Sequence, residues 1–243
     1  YCMMDHALGL VVAALLLASS WRAQPWRWLL AGASVAVLLA IGQVLQPRSL
    51  ARLDVSVAGD FDRATPAGRE IGVQDGRLRL QVGAEPRFGA ENAHTAVALM
   101  FDYACPHCRR VHRVCRTLIE RSGDLLAIVL PTPLGSECNR YIPETEERFR
   151  DSCALARLSL AVFFSAPARW SDFDQWLFES EQPRSAAAAR AQAAVILGDA
   201  LDAALEDERV ERMLQRNVAA FGAIPAPDPA SRRLPVAWSP GRP

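Results

Sequence analysis

The sequence contains no lysine, so all 27 of its strongly basic residues are arginines, and 27 acidic residues leave a formal net charge of zero. Proteins that bind nucleic acid usually carry a basic excess, so this balance gives no support for a nucleic-acid partner. Six cysteines in 243 residues are too few for a miniprotein held by disulfides, yet many for an ordinary cytosolic domain. The length fits one large domain or two small ones.

Charge is missing from two stretches near the N-terminus, residues 7–21 and 28–46. A membrane-spanning helix needs about 20 mainly apolar residues. The second stretch meets this requirement alone, and the first meets it if the few residues before it extend the same helix. Arg22 and Arg27 lie in the short loop between the stretches, which places that loop on the cytoplasmic side. The pattern predicts a transmembrane helical hairpin, with everything after Pro47 outside the cytoplasm.

A cleaved signal peptide is the alternative interpretation of the first stretch. A signal peptide begins with a positively charged region, whereas here Asp5 and His6 precede the apolar run without any arginine. A second, longer apolar run also follows directly. The hairpin therefore accounts better for residues 1–46.

Residues 47–93 mix glycine, proline and charge, as a linker does. Within them Asp75 and Gly76 separate two short segments of β character in REIGVQDGRLRLQV. An Asp-Gly pair between such segments indicates a β-hairpin. We expect a linker that carries an edge hairpin.

The sequence CPHC, residues 105–108, lies between patterns typical of a strand and a helix. The nearly continuous apolar run at 95–103 is typical of a buried strand, and a second such run follows at 125–131. Between them, apolar residues recur at helical spacing until Gly123, and Pro106 suits the first helical turn. In a strand–helix–strand setting, a CxxC motif at the helix start indicates a redox pair.

The chemistry of thiolates explains this arrangement. The unpaired N–H groups and the dipole at a helix N-terminus stabilise a thiolate at Cys105, and a protonated His107 would add to that effect. Stabilising the thiolate of the reduced form makes the disulfide a stronger oxidant. We expect Cys105 to be the exposed nucleophile and Cys108 to be the resolving thiol.

Zinc binding is the competing interpretation of the same region. Cys105, Cys108, His112 and Cys115 could be read as a ligand set, but a second pair of ligands is absent and the strand–helix context favours redox chemistry. We therefore predict no metal site. Cys115 is interpreted as a buried small apolar residue.

Three segments together carry a family resemblance. ALMFDYACPHCRRVHR, LPTPLGSECN and SCALARLSLAVF resemble the DsbA-like thioredoxin domain that is fused to bacterial homologues of vitamin K epoxide reductase (VKOR). The N-terminal YCMMDHALGL resembles the end of the VKOR CxxC motif and the membrane helix that follows it. The resemblance implies that Cys2 is the second cysteine of a membrane pair. Its partner and the earlier helices of the bundle would then precede Tyr1.

In that family, the thioredoxin-like domain takes electrons from cysteine pairs of folding proteins and passes them to the membrane cysteines, which reduce a quinone. The resemblance implies that Cys2 relays electrons and that the remainder of the VKOR bundle and a membrane quinone are partners. His6 shares a helix face with Cys2 by its i, i+4 spacing and would face the quinone, or else lies at the membrane interface without such a role. The implied location is the bacterial inner membrane, with the thioredoxin domain facing the periplasm or the cell exterior.

The resemblance also implies an α/β thioredoxin-like domain over residues 94–243, with a helical insertion at about 140–221. Cys138 and Cys153 flank the start of this insertion, and we expect a structural disulfide between them, because two free thiols outside the cytoplasm would be unusual. A shuttle pair is the alternative. Thioredoxin-like sites also need a cis-proline beside the CxxC, and Pro235 is the best candidate. The last strand and helix of the fold would then lie beyond the C-terminus.

Two other classes of function remain open at this point. One is a membrane-anchored thiol reductase or disulfide isomerase, because the direction of electron flow cannot be read from a CxxC motif. The other is a chaperone or binding module that keeps the thioredoxin fold without catalysis. The intact CPHC argues against this second class.

Overall fold

The structure is a computed structural model that describes residues 69–227 and 232–239. The chain divides into two compact units, residues 1–56 and 57–243, and every described residue belongs to the second. The predicted transmembrane hairpin, with Cys2 and His6, lies outside the described residues, as does most of the predicted linker. Within the described ranges, no helix has the length and apolar character needed to cross a membrane.

The first element of the described chain is the β-hairpin predicted around Asp75 and Gly76. Strands β1 (Glu70–Val73) and β2 (Leu78–Gln81) pair antiparallel. Gln74, Asp75 and Gly76 all have positive φ angles, of 53°, 56° and 78°, which suit a tight hairpin turn. The hairpin is confirmed, but it forms a two-stranded sheet of its own and is not the edge of the central sheet.

The central sheet has four strands in the order β3-β5-β4-β6. These are β3 (Arg87–Gly89), β4 (Thr95–Phe101), β5 (Leu125–Pro131) and β6 (Val236–Trp238). The central strands β4 and β5 are parallel, while β3 and β6 each run antiparallel to their neighbour. The two apolar runs of the sequence are the two central strands, which are buried almost throughout.

The domain begins before the boundary at residue 94 that the sequence indicated. Residues 87–89 pair with β5, with Arg87 opposite Ile128 and Gly89 opposite Leu126. They therefore belong to the domain and not to the linker. The strand was missed because it is three residues long and buries only Phe88, which leaves no periodic pattern to detect.

Helix α1 (Pro106–Ser122) connects β4 to β5, which gives the predicted strand–helix–strand unit. It begins immediately after Cys105, with Pro106 in the first turn. It ends at Gly123, which has a left-handed φ of 63° and donates its backbone N–H to the Ile119 carbonyl oxygen at 2.9 Å.

The predicted helical insertion separates β5 from β6. Its helices are α2 (Ser152–Ser165), α3 (Pro167–Glu179), α4 (Ala186–Leu197), α5 (Leu201–Leu205) and α6 (Glu208–Gly222). Helix α2 lies at the centre and packs against each of the other four. It is buried along most of its length, which explains why its sequence is apolar on nearly every side.

Candidate active site

Both cysteines of the CPHC motif lie at the N-terminus of α1, and both are free thiols. Cys105 is the N-cap residue, and its sulfur accepts a hydrogen bond from the backbone N–H of Cys108 at 3.5 Å. This contact places the sulfur against the unpaired N–H groups of the first turn, where the helix dipole stabilises negative charge. The sequence pattern alone predicted this position.

The two thiols differ strongly in acidity. The pKa of Cys105 is lowered to about 7, chiefly by the hydrogen bond with the Cys108 thiol and further by the backbone N–H groups of Cys108 and His107. The pKa of Cys108 is raised far above its ordinary value, first by burial and then by its hydrogen bond to Cys105. Cys105 is therefore the sulfur that carries a thiolate near neutral pH.

Cys105 is not exposed, contrary to the expectation from the sequence. Its residue surface is 4% accessible, and that of Cys108 is 0%. The reason is tertiary: the loop before β6 brings the carbonyl oxygen of Leu234 to 3.9 Å from the Cys105 sulfur. Pro106 and His107 are the exposed members of the motif.

The loop over Cys105 contains the candidate cis-proline. The Leu234–Pro235 peptide bond is cis. Strand β6 follows at once and pairs with β4, with Val236 opposite Met100. This pairing holds Pro235 beside the CPHC motif, as expected from the sequence.

A buried acidic residue, Asp102, lies next to the Cys108 sulfur. Its oxygens accept backbone N–H groups from Ala104 and Leu134, each at 2.6 Å, and its own N–H donates to the Cys108 sulfur at 3.5 Å. Burial raises the pKa of Asp102 to about 6, although the hydrogen bonds act in the opposite direction. Sequence reasoning missed this residue; the available signal was an acid at the end of an apolar strand, three residues before Cys105.

A second buried polar cluster ties α1 to the insertion. Asp174 of α3 lies 2.7 Å from the Nε2 atom of His112 and accepts the hydroxyl proton of Tyr103 at 2.9 Å. Ser159 of α2 contacts the Tyr103 hydroxyl at 2.7 Å and accepts the indole N–H of Trp170 at 2.9 Å. All five residues are nearly inaccessible to solvent. The sequence did not reveal this cluster, because its members lie up to 71 positions apart.

His112 and Cys115 do not form a ligand set with the cysteine pair. His112 is engaged with Asp174, and the half-buried Cys115 has its pKa raised to about 11 by burial. Across residues 69–227 and 232–239, the structure brings together no group of three or more His, Cys, Asp or Glu side chains suited to a metal.

Cys138 and Cys153 are joined by a disulfide, with their Cα atoms 6.0 Å apart. This is the pairing expected from the sequence. The bridge closes the segment between β5 and α2, and the backbone N–H of Leu134 connects the same segment to Asp102. Both bridge cysteines are buried.

Parallel central strands, a CxxC motif at the start of the helix between them and a cis-proline beside it define a thioredoxin-like fold. The comparison of families gives the same assignment. Residues 81–224 match the thioredoxin family model, and the chain belongs to this family. A search of curated proteins gave no match.

Among solved structures, the chain is similar to ScsC of Proteus mirabilis, at 19% identity and a TM-score of 0.47 over 64% of this chain and 62% of that one. It is also similar to α-DsbA2 of Wolbachia pipientis, a thiol-disulfide exchange protein, at 20% identity and a TM-score of 0.49 over 63% and 74%. A periplasmic thioredoxin-like protein of Salmonella enterica serovar Typhimurium matches at 16% identity and a TM-score of 0.46, over 64% and 78%. The match thus spans less than two thirds of the ScsC chain.

Proposed function

We propose that the chain is a thiol-disulfide oxidoreductase that oxidises cysteine pairs of other proteins. The observation that carries the proposal is the position of Cys105 at the N-terminus of α1, where its sulfur accepts the backbone N–H of Cys108. The acidities of the two thiols agree with this position: the pKa of Cys105 is lowered to about 7, while burial raises that of Cys108. A stabilised Cys105 thiolate favours the reduced pair, which makes the disulfide form an oxidant. Membership of the thioredoxin family supports the same chemistry.

In the oxidising direction, a substrate thiolate attacks the Cys105 sulfur of the Cys105–Cys108 disulfide. That disulfide breaks, Cys108 leaves as a thiolate and takes up a proton, and a mixed disulfide joins the substrate to Cys105. A second substrate thiolate then attacks the substrate sulfur of the mixed disulfide, and Cys105 leaves as a thiolate. The substrate pair loses two electrons and becomes a disulfide, while the CPHC pair gains them and becomes a dithiol.

We propose that the buried Asp102 carboxyl group, whose negative charge adds to the effect of burial in raising the pKa of Cys108, exchanges the proton with this thiol. Asp102 is buried, its backbone N–H lies 3.5 Å from the Cys108 sulfur, and its pKa is raised to about 6 by burial. A carboxyl group with such a pKa changes its protonation close to the working pH of the cell, as an acid–base group should. The carbonyl oxygen of Leu234, in the loop before β6, covers the Cys105 sulfur. A substrate must therefore move this loop aside to reach the sulfur.

The membrane relay is the finer part of the proposal, and the resemblance to VKOR fusions supports it. The electrons would pass from the CPHC pair to Cys2, with its upstream partner, and the VKOR bundle would reduce a quinone that His6 faces. Cys2 and His6 lie outside the described residues. The Cys138–Cys153 disulfide supports a location in the periplasm or at the cell exterior, because disulfides persist in oxidising compartments. The location at the bacterial inner membrane is supported by the resemblance to VKOR fusions alone.

Oxidation of a dithiol peptide by the oxidised full chain tests the activity. We expect Cys105→Ser to abolish oxidation and the matched control Cys115→Ser to retain it. Oxidation of the dithiol peptide by Cys105→Ser at the wild-type rate would contradict the proposal. If instead the chain reduces or rearranges disulfide peptides faster than it oxidises dithiols, the reductase or isomerase alternative is correct. If the wild-type chain exchanges no thiols with either peptide, and it suppresses aggregation equally well with and without Cys105, the chaperone alternative is correct.

The relay has a separate test in membranes. In Cys108→Ala the resolving thiol is absent, so a mixed disulfide between Cys105 and the membrane pair should accumulate. A protease site introduced near Ala58 makes this visible, because the cleaved halves stay joined until a reductant is added. Halves that separate without reductant under every redox condition contradict the relay, as does failure of a membrane-impermeant thiol reagent to reach Cys105.

A further inference from the structure

The residue after the CPHC motif, Arg109, has a buried guanidinium whose hydrogen-bonding capacity is mostly unused. Its residue surface is 3% accessible. The Nη1 atom donates to the carbonyl oxygen of Glu181, in the loop after α3, at 2.6 Å. The Nε and Nη2 atoms are buried, and neither has a hydrogen-bond partner in the described part of the chain.

A buried charge of this kind is unfavourable unless an opposite charge compensates it. Among residues 69–227 and 232–239, no carboxylate forms an ion pair with Arg109. Arg109 does lie in the first turn of α1, where its backbone N–H bonds to the Cys105 carbonyl at 3.1 Å. Burial lowers the pKa of Arg109 and Arg113 lowers it further, while the negative charges of Cys105 and Cys108 raise it.

We propose that Arg109 is a positioning residue of the redox pair, whose buried positive charge stabilises the Cys105 thiolate and thereby the reduced form. The inference deepens the proposed function and rests on it. Arg109 thus takes the role expected of His107 from the sequence, which is to stabilise the Cys105 thiolate by a positive charge. His107 is exposed, so solvent weakens the effect of its charge, whereas a guanidinium shielded from water acts through a lower dielectric.

Other charged groups act on the same sulfur and remain unchanged in the test. The negative charge of Asp102 raises the pKa of Cys105 and so opposes Arg109. Arg113, one turn along α1, and Arg233, beside the Leu234 carbonyl, are both exposed, as is His107. These exposed groups are screened by solvent and salt, which distinguishes them from Arg109.

The test compares charge-removing and charge-keeping variants of the full chain. Arg109→Gln and Arg109→Met remove the charge, and the Met variant leaves no buried donor unpaired, so it should fold even if the Gln variant does not. Arg109→Lys keeps the charge, and Arg110→Gln is the matched control on the exposed neighbour. The readouts are the thiolate absorbance of the reduced chain against pH and the equilibrium constant of the CPHC pair with glutathione.

We expect Arg109→Gln and Arg109→Met to raise the pKa of Cys105 by about one unit and to make the disulfide about tenfold less oxidising. Arg109→Lys and Arg110→Gln should stay close to the wild type in both measurements. The proposal is wrong if the Met variant leaves the pKa unchanged, or if Arg109→Lys shifts it as much as Arg109→Met does. If the expected shifts occur in a chain that fails to oxidise dithiol peptides, the electrostatic role stands and the proposed function fails.

Discussion

At the scale of single residues, we expect the sulfur of Cys105 to set the pH dependence of thiol reactivity. Its pKa of about 7 compares with an ordinary value of 9.0, because the Cys108 thiol and the N–H groups of the first helical turn stabilise the thiolate. Alkylation of the reduced chain at Cys105 should therefore rise through a midpoint near pH 7. Cys115, whose pKa burial raises to about 11, is an internal control that should stay unmodified in this range. Peptide mapping after alkylation checks the prediction, and a Cys105 midpoint near pH 9 contradicts it.

The titration of Asp102 should make the free energy of unfolding depend on pH. Burial raises its pKa from 3.8 to about 6, so the folded chain holds this proton more tightly than the unfolded chain does. The folded state therefore loses stability as the pH rises from about 4 to 6, by up to about 3 kcal/mol, since one pKa unit corresponds to about 1.4 kcal/mol.

Asp102→Asn removes this titration. We expect its free energy of unfolding, measured in urea at several pH values, to lack the decline that the wild type shows between pH 4 and 6. The comparison concerns the slope, because asparagine cannot accept both backbone N–H groups from Ala104 and Leu134 and so lowers stability at every pH. Parallel curves for the two chains would show that Asp102 does not titrate in this range.

The sequence located the CPHC motif at the start of a helix but not the surroundings of its cysteines. Cys105, Cys108 and Pro106 could be placed from the CxxC spacing and from the helical pattern that follows it. The burial of Cys105 could not, because the covering carbonyl belongs to Leu234, 129 positions away. The roles of Asp102 and Arg109 depend in the same way on which neighbours are buried around them, and a single sequence does not show this.

At the scale of elements, the short strand β3 depends on a close approach at Gly89. This residue has a φ of 97°, and a Cβ atom there would overlap the Leu125 carbonyl oxygen of β5. Gly89→Ala should therefore destabilise the domain by about 2–4 kcal/mol, through strain and the loss of β3–β5 pairing. Gly123→Ala is the matched control, because Gly123 also has a positive φ but open space around its Cβ position, and it should cost only about 1 kcal/mol. Urea unfolding of both variants checks this, and equal losses would contradict it.

Elements with a strong local pattern were predictable, and elements defined by distant contacts were not. Strands β4 and β5 are recognisable because both are buried in a parallel sheet and so are apolar throughout. Strand β3 has no such pattern, and it forms because its backbone pairs with β5. The attachment of α1 to the insertion through Asp174 likewise follows from packing, since no spacing rule links residues of three different helices and a loop.

At the scale of the whole molecule, the Cys138–Cys153 bridge should support the fold without taking part in exchange. Removing a bridge between cysteines 15 positions apart should lower the free energy of unfolding by about 3 kcal/mol in the chain-entropy model. Urea unfolding of a variant with both cysteines changed to alanine measures the loss. Dithiol oxidation at Cys105 should persist at temperatures where the variant is folded; its disappearance there would assign the bridge a redox role.

Graded reduction provides an independent check on the same bridge. A mild reductant should open the Cys105–Cys108 disulfide first, because the stabilised Cys105 thiolate makes that pair the stronger oxidant. Peptide mapping should then find Cys138 and Cys153 still joined. Opening of the Cys138–Cys153 bridge before the CPHC pair would contradict its structural assignment.

The overall architecture could be predicted from the sequence because the patterns that indicate its main elements are local. The strand–helix–strand unit around CPHC, the helices after it and the hairpin at Asp75 each have a pattern of their own. The predicted start of the domain at residue 94 was too late, because β3 has no sequence pattern of its own. The membrane hairpin and the relay through Cys2 remain predictions.

The most direct measurement of the central claim is the identity of the sulfur that forms a mixed disulfide. The full-length Cys108→Ala chain, incubated with a disulfide-bonded peptide, should form one reductant-sensitive adduct per chain, and mass spectrometry should place it on Cys105. Its rate of formation should rise with pH as Cys105 becomes a thiolate, with a midpoint above that of the wild type, because Cys108→Ala removes the thiol that chiefly lowers the pKa of Cys105. An adduct on Cys115 with Cys105 unmodified, or no adduct at any pH up to 9, would contradict the assignment of Cys105 as the exchanging cysteine.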